Sequence, residues 1–336
     1  MSWTNEGKRA GLIRNFRRTR MTPTTTKNGN KIALITGANA GIGKEIARQF
    51  AAGGEFRKIY LACRNKDKAL AARNNLEQVT GKMVFEIVMM DVSKPAVVRA
   101  AVSSLDQAID VLIMNAGTVG DKTNIKLTPE GVTEVFASNL LGHIVLLDEL
   151  LKAKKLTSAA VYLASEAARG VWQLGIKSPV FENYSVEEFA SVCDGTFFAG
   201  KKADAMLAFG QVKYLGAMWM SSVARKNPEL KLITVSPGNT KGTDASNNLP
   251  LPLRLLIQYV MYPVVMPLFG IVHDLQTGAG RIVHSLSDTS IKSGRFYASA
   301  AGKLTGPLVD QSTIRPEMNN ETYQENANQA VHRFIS

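Results

Sequence analysis

The chain has 336 residues, 45% of them hydrophobic and 20% charged, with 40 basic against 28 acidic side chains and a formal net charge of +12. That balance excludes a disordered polymer and supplies enough apolar side chain for one large core. Two cysteines, Cys63 and Cys193, are too few for a disulfide framework, and no Cys/His cluster has metal-ligand spacing, so the expectation is a metal-free protein of a reducing, cytoplasmic setting.

The basic excess is uneven. Residues 1–30 hold Lys8, Arg9, Arg14, Arg17, Arg18, Arg20 and Lys27 against Glu6 alone, which is half of the net charge. We read residues 1–29 as a solvated, disordered extension. The alternative is organelle targeting, since the segment is Arg-rich and acid-poor, and Met21 is a second candidate start. With half of the excess confined to a tail, and no basic-aromatic interleaving or recognition motif, no nucleic-acid partner is expected.

Residues 30–336 read as a single domain, with no Pro/Gly/Ser-rich linker to divide it. Apolar runs at Lys31–Thr36, Lys58–Cys63, Val84–Met90, Val111–Asn115, Ala159–Ser165, Lys231–Ser236 and Gly294–Ser299 are short and mostly unbroken, as in parallel strands buried on both faces. Between them, Asn65–Thr80, Lys94–Ala108 and Val132–Lys154 have helical apolar spacing. The alternation predicts an α/β fold: one doubly wound Rossmann domain with a mostly parallel sheet of about seven strands and helices on both faces.

The first strand runs into Thr36-Gly37-Ala38-Asn39-Ala40-Gly41-Ile42-Gly43, and an amphipathic stretch follows from Lys44 to Ala52. Glycine permits a sharp turn and close backbone approach, while the free amides and positive end of the next helix attract a pyrophosphate. A dinucleotide site is expected there, built on Thr36, Gly37, Asn39, Gly41, Ile42 and Gly43. The second strand ends in Cys63-Arg64-Asn65, where an NAD-selective site would place a carboxylate for the ribose hydroxyls. A guanidinium instead grips a 2′-phosphate through paired charge-assisted hydrogen bonds, so Arg64, with Asn65, points to NADP.

Further landmarks stand at the ends of later runs: Asp91-Val92-Ser93, Asn115-Ala116-Gly117, Ser165 and Ser236-Pro237-Gly238, with Asn139 inside a helical stretch. Together with the T-G-x-x-x-G-I-G turn, their order from Lys31 to Ser299 resembles the short-chain dehydrogenase/reductase family, and Asn139-Leu140-Leu141-Gly142-His143 resembles its retinol-dehydrogenase-like members. The resemblance implies that Asp91 and Val92 meet the adenine end and that Asn115, Ala116 and Gly117 support cofactor and sheet. Bracing a turn is the plainer reading of Asn115. Pro237 and Gly238 join the cofactor set.

The resemblance also implies hydride exchange between nicotinamide and a carbonyl or alcohol carbon, with a tyrosine handling the proton and a lysine four residues later lowering its pKa. Such residues share a helix face. Here Lys213 is in place, but Phe209 holds the tyrosine position and can neither give nor take a proton. Ser165 would bond the substrate oxygen, and Asn139 would hold a water that passes protons to Lys213. Tyr214 and His143 read as structural, and Tyr184 is the first candidate among Tyr184, Glu187, Glu188 and Asp194 to replace the lost acid, with surface decoration the plainer reading of each.

The 44 positions from Ser165 to Phe209 leave an insertion near 171–205, resembling the carbonyl-reductase and protochlorophyllide-reductase branches and compatible with monomer or dimer. Leu249–Val272 is strongly apolar, yet Pro250, Pro252, Pro263 and Pro267 argue against a regular membrane span. In the family that the chain resembles, the segment after the Pro-Gly turn covers the substrate cleft, so the resemblance implies a lid or pocket wall for a small lipophilic substrate, with peripheral membrane contact or core packing as alternatives. Three functions stay open: an NADP-dependent oxidoreductase with a weakened or rerouted proton step, an inactive NADP(H)-binding protein, or a tyrosine-to-phenylalanine variant of an active reductase.

Overall fold

The computed structural model describes residues 29–119, 125–172, 175–200, 202, 204–241 and 271–335. Most of the extension at 1–29 and of the apolar segment at 249–272 lies outside them.

Eight strands form one sheet: β1 (Lys31–Thr36), β2 (Phe56–Cys63), β3 (Phe85–Met89), β4 (Ile109–Met114), β5 (Leu156–Leu163), β6 (Lys231–Val235), β7 (Phe296–Ala298) and β8 (Val309–Asp310). Their order is β3-β2-β1-β4-β5-β6-β7-β8, parallel as far as β7, with β8 antiparallel at the edge. The expected count of seven misses β8, which at two residues is too short to carry a periodic signal.

Side chains alternate across the sheet. Leu34, Leu112, Ala160 and Tyr162 enter one buried cluster, while Ile35, Ile113, Val161 and Leu163 enter the other. Helices cover both faces. On one side lie α1 (Gly41–Gly53), which buries Ile46, Ala47, Phe50 and Ala51, and α2 (Lys66–Thr80), whose Asn65 side chain accepts the Lys68 amide at 2.9 Å. The other cluster takes residues from α3 (Pro95–Ser104), α4 (Gly142–Lys152), α5 (Val186–Asp194) and α6 (Ala205–Lys226). Two later helices complete the layers: α7 (Leu275–Ser287) packs beside α1 on the first face, and α8 (Glu321–His332) packs on α5 and α6 on the second.

The helix expected over Val132–Lys154 is broken. A single turn at Glu134–Phe136 passes into a π-helical turn at Ala137–Leu141 before α4 begins, so Asn139 sits where the regular hydrogen-bond ladder is interrupted. Strand order reverses between β1 and β4, which opens a crevice at the carboxyl ends of the central strands.

Candidate active site

Thr36 ends β1 and is fully buried. Its hydroxyl oxygen accepts the amides of Asn115 at 2.8 Å and Ala116 at 2.9 Å, which ties the end of β4 to the glycine turn. The Asn115 side chain then donates to the carbonyls of Thr36 at 2.8 Å and Gly37 at 3.3 Å. Asn115 therefore braces the turn, as its plainer reading has it.

Gly37 and Gly41 have φ of +65° and +53°, which glycine adopts without penalty. A β-carbon on Gly43 would stand 2.5 Å from Asn115 Nδ2 and 2.7 Å from the Gly37 carbonyl. No side chain caps the start of α1, and a helix leaves the amides of its first turn without intrahelical partners. A turn this tight, followed by an uncapped positive helix end, fits a diphosphate.

At the end of β2, Arg64 is exposed. Asn65 beside it is occupied as the α2 cap. The Cys63 thiol lies against the backbone of Ala38 and Asn39, and burial pushes it up to about 11. Asp91 accepts the Ser93 amide at 3.0 Å and the Ser93 hydroxyl at 2.7 Å. Next to it, the Val92 carbonyl abuts Gly142, where no β-carbon would fit.

The centre of the site is Lys213 on α6, one turn after Phe209 and 4% exposed. Its Nζ donates to the Leu163 carbonyl at 2.9 Å and lies 4.9 Å from the centroid of the Tyr162 ring and 5.7 Å from that of Phe209. Burial lowers the ammonium to about 7. Two groups grip the Asn139 carbonyl: the Tyr162 hydroxyl at 3.1 Å and His143 Nδ1 at 3.0 Å. The other imidazole nitrogen, Nε2, is 3.0 Å from the Thr36 hydroxyl.

That pairing fixes the tautomer, because a carbonyl only accepts and the Thr36 oxygen already takes two amides. His143 Nδ1 donates, and Nε2 accepts from Thr36. Burial, with the Lys213 charge adding to it, holds the imidazole down to about 3. His143 is a strut between the glycine turn and the π-turn.

Ser165 follows β5, and its hydroxyl oxygen accepts the Ala167 amide at 3.2 Å. The next residue was not singled out in the sequence. Glu166 is buried, with Oε2 on Arg169 Nε at 2.9 Å, and Oε1 accepting the Ser236 hydroxyl at 3.2 Å and the Ser299 amide and hydroxyl at 3.0 and 2.9 Å. Arg281 on α7 reaches the same cluster through Ser299 Oγ and His273 Nε2, both at 3.0 Å, and its Nη2 is 4.0 Å from Glu166 Oε1. One carboxylate thus faces two buried guanidinium groups, and burial lowers the pKa of both Arg281 and His273.

Above the cluster sits the Pro237-Gly238 turn, where Gly238 has φ of +76° and a β-carbon would meet Arg281 and His273 at 2.5 Å. The structure thus gathers Thr36, Asn115, Asn139, Lys213, Ser165 and Gly238 at the carboxyl ends of the central strands. It does not give Tyr184 to that group. Its ring stacks on Tyr323 of α8 with centroids 4.4 Å apart and packs on Phe181 and Phe189, an aromatic cluster that Tyr214 also joins. Among Glu187, Glu188 and Asp194, Glu187 pairs with Arg333, Glu188 accepts the amides of residues 182–184, and Asp194 accepts the Thr196 amide and hydroxyl.

Tyr162 escaped the sequence reading. Its signal was weak: a phenol in a buried strand three positions before Ser165, where an aliphatic side chain would otherwise be expected. Among the described residues no group of three or more metal-ligating side chains occurs, and no helix is long and apolar enough to cross a membrane. Both cysteines are buried free thiols.

Residues 31–175 match the family model described as short chain dehydrogenase. Retinol dehydrogenase 11 of Mus musculus is 34% identical over 128 residues, covering 37% of this chain and 39% of that protein. The matches span between 39% and 60% of the length of the first curated relatives. Among solved structures, L-sorbose reductase from Gluconobacter frateurii, complexed with NADPH and L-sorbose, is 19% identical with a TM-score of 0.58, covering 85% of this chain and all (100%) of that one. The NADPH-bound carbonyl reductase from chicken fatty liver is 20% identical with a TM-score of 0.55, covering 82% and 99% of the two chains. At such identities the shared property is the fold.

Proposed function

From the match of residues 31–175 to the short chain dehydrogenase family model, we propose that this chain is an NADP(H)-dependent oxidoreductase of that family acting on a lipophilic carbonyl or alcohol. The observation that carries the reading is the glycine turn. Thr36 and Asn115 hold it rigid, and the uncapped amides of α1 open from it. Those amides would hold the diphosphate, Arg64 the 2′-phosphate, and Asp91 and Val92 the adenine end. Lys213 and the Pro237-Gly238 turn would hold the nicotinamide half. A bound nicotinamide supplies or removes the hydride.

Within this reading Ser165 orients the substrate oxygen, and residue 209 takes no part in proton transfer. General acid catalysis contributes about 10²–10⁴-fold, so turnover is slow unless another group serves. Phe209 also favours a second reading, an NADP(H)-binding protein without turnover. The lipophilic substrate class is drawn from the composition of residues 249–272.

Calorimetric titration with NADPH and NADH, followed by NADPH oxidation against a panel of apolar aldehydes and ketones for the chain and for Phe209→Tyr, separates the readings. We expect NADPH to bind at least about tenfold tighter than NADH, with Arg64→Ala erasing the difference. Slow turnover in the chain and faster turnover in Phe209→Tyr is the expected pattern. Binding with turnover only in Phe209→Tyr establishes the second reading, and no binding of either coenzyme removes both.

A further inference from the structure

Three polar groups of the site have unused hydrogen-bonding capacity. An ammonium carries three protons, and the Leu163 carbonyl takes one from Lys213. No carboxylate pairs with Lys213 among the described residues. Asn139 Oδ1 is buried without a hydrogen-bond partner, although the amide nitrogen of the same side chain donates to the carbonyls of Thr118 at 2.7 Å and Val135 at 2.8 Å. Oδ1 and Nζ border the same small space. The point where a β-carbon on Gly117 would stand is 3.5 Å from Nζ and closer still to Oδ1. One water can bridge such a gap. Finally, Ser165 uses its oxygen on the Ala167 amide, which leaves its hydroxyl proton to give.

The titratable neighbours do not compete. From α4, His143 stays neutral between Thr36 and Asn139. From β5, Tyr162 stays protonated, its hydroxyl donated to the Asn139 carbonyl and its pKa raised by burial. On α6 itself Tyr214 is buried and raised as well.

Resting on the reading above, we propose that Lys213 Nζ supplies the proton to the substrate oxygen in place of a hydroxyl at residue 209, through one water at the edge of the Phe209 ring, and that a second water held by Asn139 Oδ1 recharges it. For each carbonyl reduced, the carbon takes a hydride from a reduced nicotinamide dinucleotide. The oxygen takes one proton, Nζ is left as the neutral amine, and a solvent proton restores the ammonium. Burial keeps Lys213 near 7, so the acid form is present at neutral pH and is lost as pH rises.

The first test needs no turnover. In protein labelled with ¹³C-lysine, with the Lys213 ε-carbon assigned by its loss in Lys213→Arg, the resonance should titrate with a midpoint near 7. A midpoint in the ordinary lysine range, about 10.4, overturns the proposal. The second test uses the NADPH-loaded protein and decanal in single turnover. The rate should fall about tenfold per pH unit above the same midpoint, and Phe209→Tyr should move that fall to higher pH.

Lys213→Arg, checked for retained NADPH binding, should lose about 100-fold or more in rate. An unchanged rate in Lys213→Arg, a parent rate flat between about pH 6 and 9, or bound NADPH that is never oxidised each overturns the proposal. If Lys213→Arg does not fold, the parent pH profile decides alone. Failure to bind NADPH is a different result: it removes the proposed function, while the lysine midpoint still reports on the acid.

Discussion

Replacing Thr36 with valine removes one hydroxyl while conserving the shape of the side chain, so no cavity opens. The structure lets the cost be worked out. The lost oxygen strands the Asn115 amide at 2.8 Å, the Ala116 amide at 2.9 Å and His143 Nε2 at 3.0 Å. A stranded buried polar group costs about 1–3 kcal/mol. Asn115 and Ala116 are half-buried and can recover part of the loss by turning to water, whereas His143 is sealed. The sum is about 3 kcal/mol.

Urea unfolding followed by circular dichroism should show that loss. In a His143→Leu background the same substitution should cost about 1 kcal/mol less, because one of the three partners is already gone. A loss below about 1 kcal/mol for Thr36→Val alone would refute the reasoning, since it would mean that the three partners find others. NADPH affinity should fall as well, because the glycine turn loses its tie to β4.

Two further outcomes follow from the same region. Gly43→Ala places a methyl 2.7 Å from the backbone carbonyl of Gly37, so the turn must shift; calorimetry should show NADPH bound at least about tenfold more weakly, and unchanged affinity would dismiss the tight approach. His143, held near 3 in the folded protein against an ordinary value of 6.5, contributes stability that is full above 6.5 and declines as pH falls toward 3. The slope should approach about 1.4 kcal/mol per pH unit and flatten in His143→Gln, as read from urea midpoints across pH. Lys213, lowered from 10.5 to about 7, acts in the same direction at higher pH, with stability rising between those values.

Much of this architecture is legible in the amino-acid order because its causes are local. Unbroken aliphatic runs such as Lys31-Ile32-Ala33-Leu34-Ile35 mark buried strands, and the glycine spacing after Thr36 marks the turn at their end. The residues that escaped act across long separations. Glu166 meets Ser299 over 133 positions and Ser236 over 70, and no periodic pattern records either contact. The π-turn at Asn139 is hidden for another reason: Ala137–Leu141 has the composition of any buried helix. Tyr184 misled because a free phenol in an insertion carries no sign of the Tyr323 ring that covers it.

Glu166 follows Ser165 directly, and its carboxylate also anchors Ser236 and Ser299. The Ser165 hydroxyl and the Pro237-Gly238 shelf, at the ends of neighbouring strands, therefore share one fastening. Under the proposed function, a guest molecule that pushed the shelf aside would also tug the Ser165 hydroxyl, so the shape of the guest would be coupled to the grip on its oxygen.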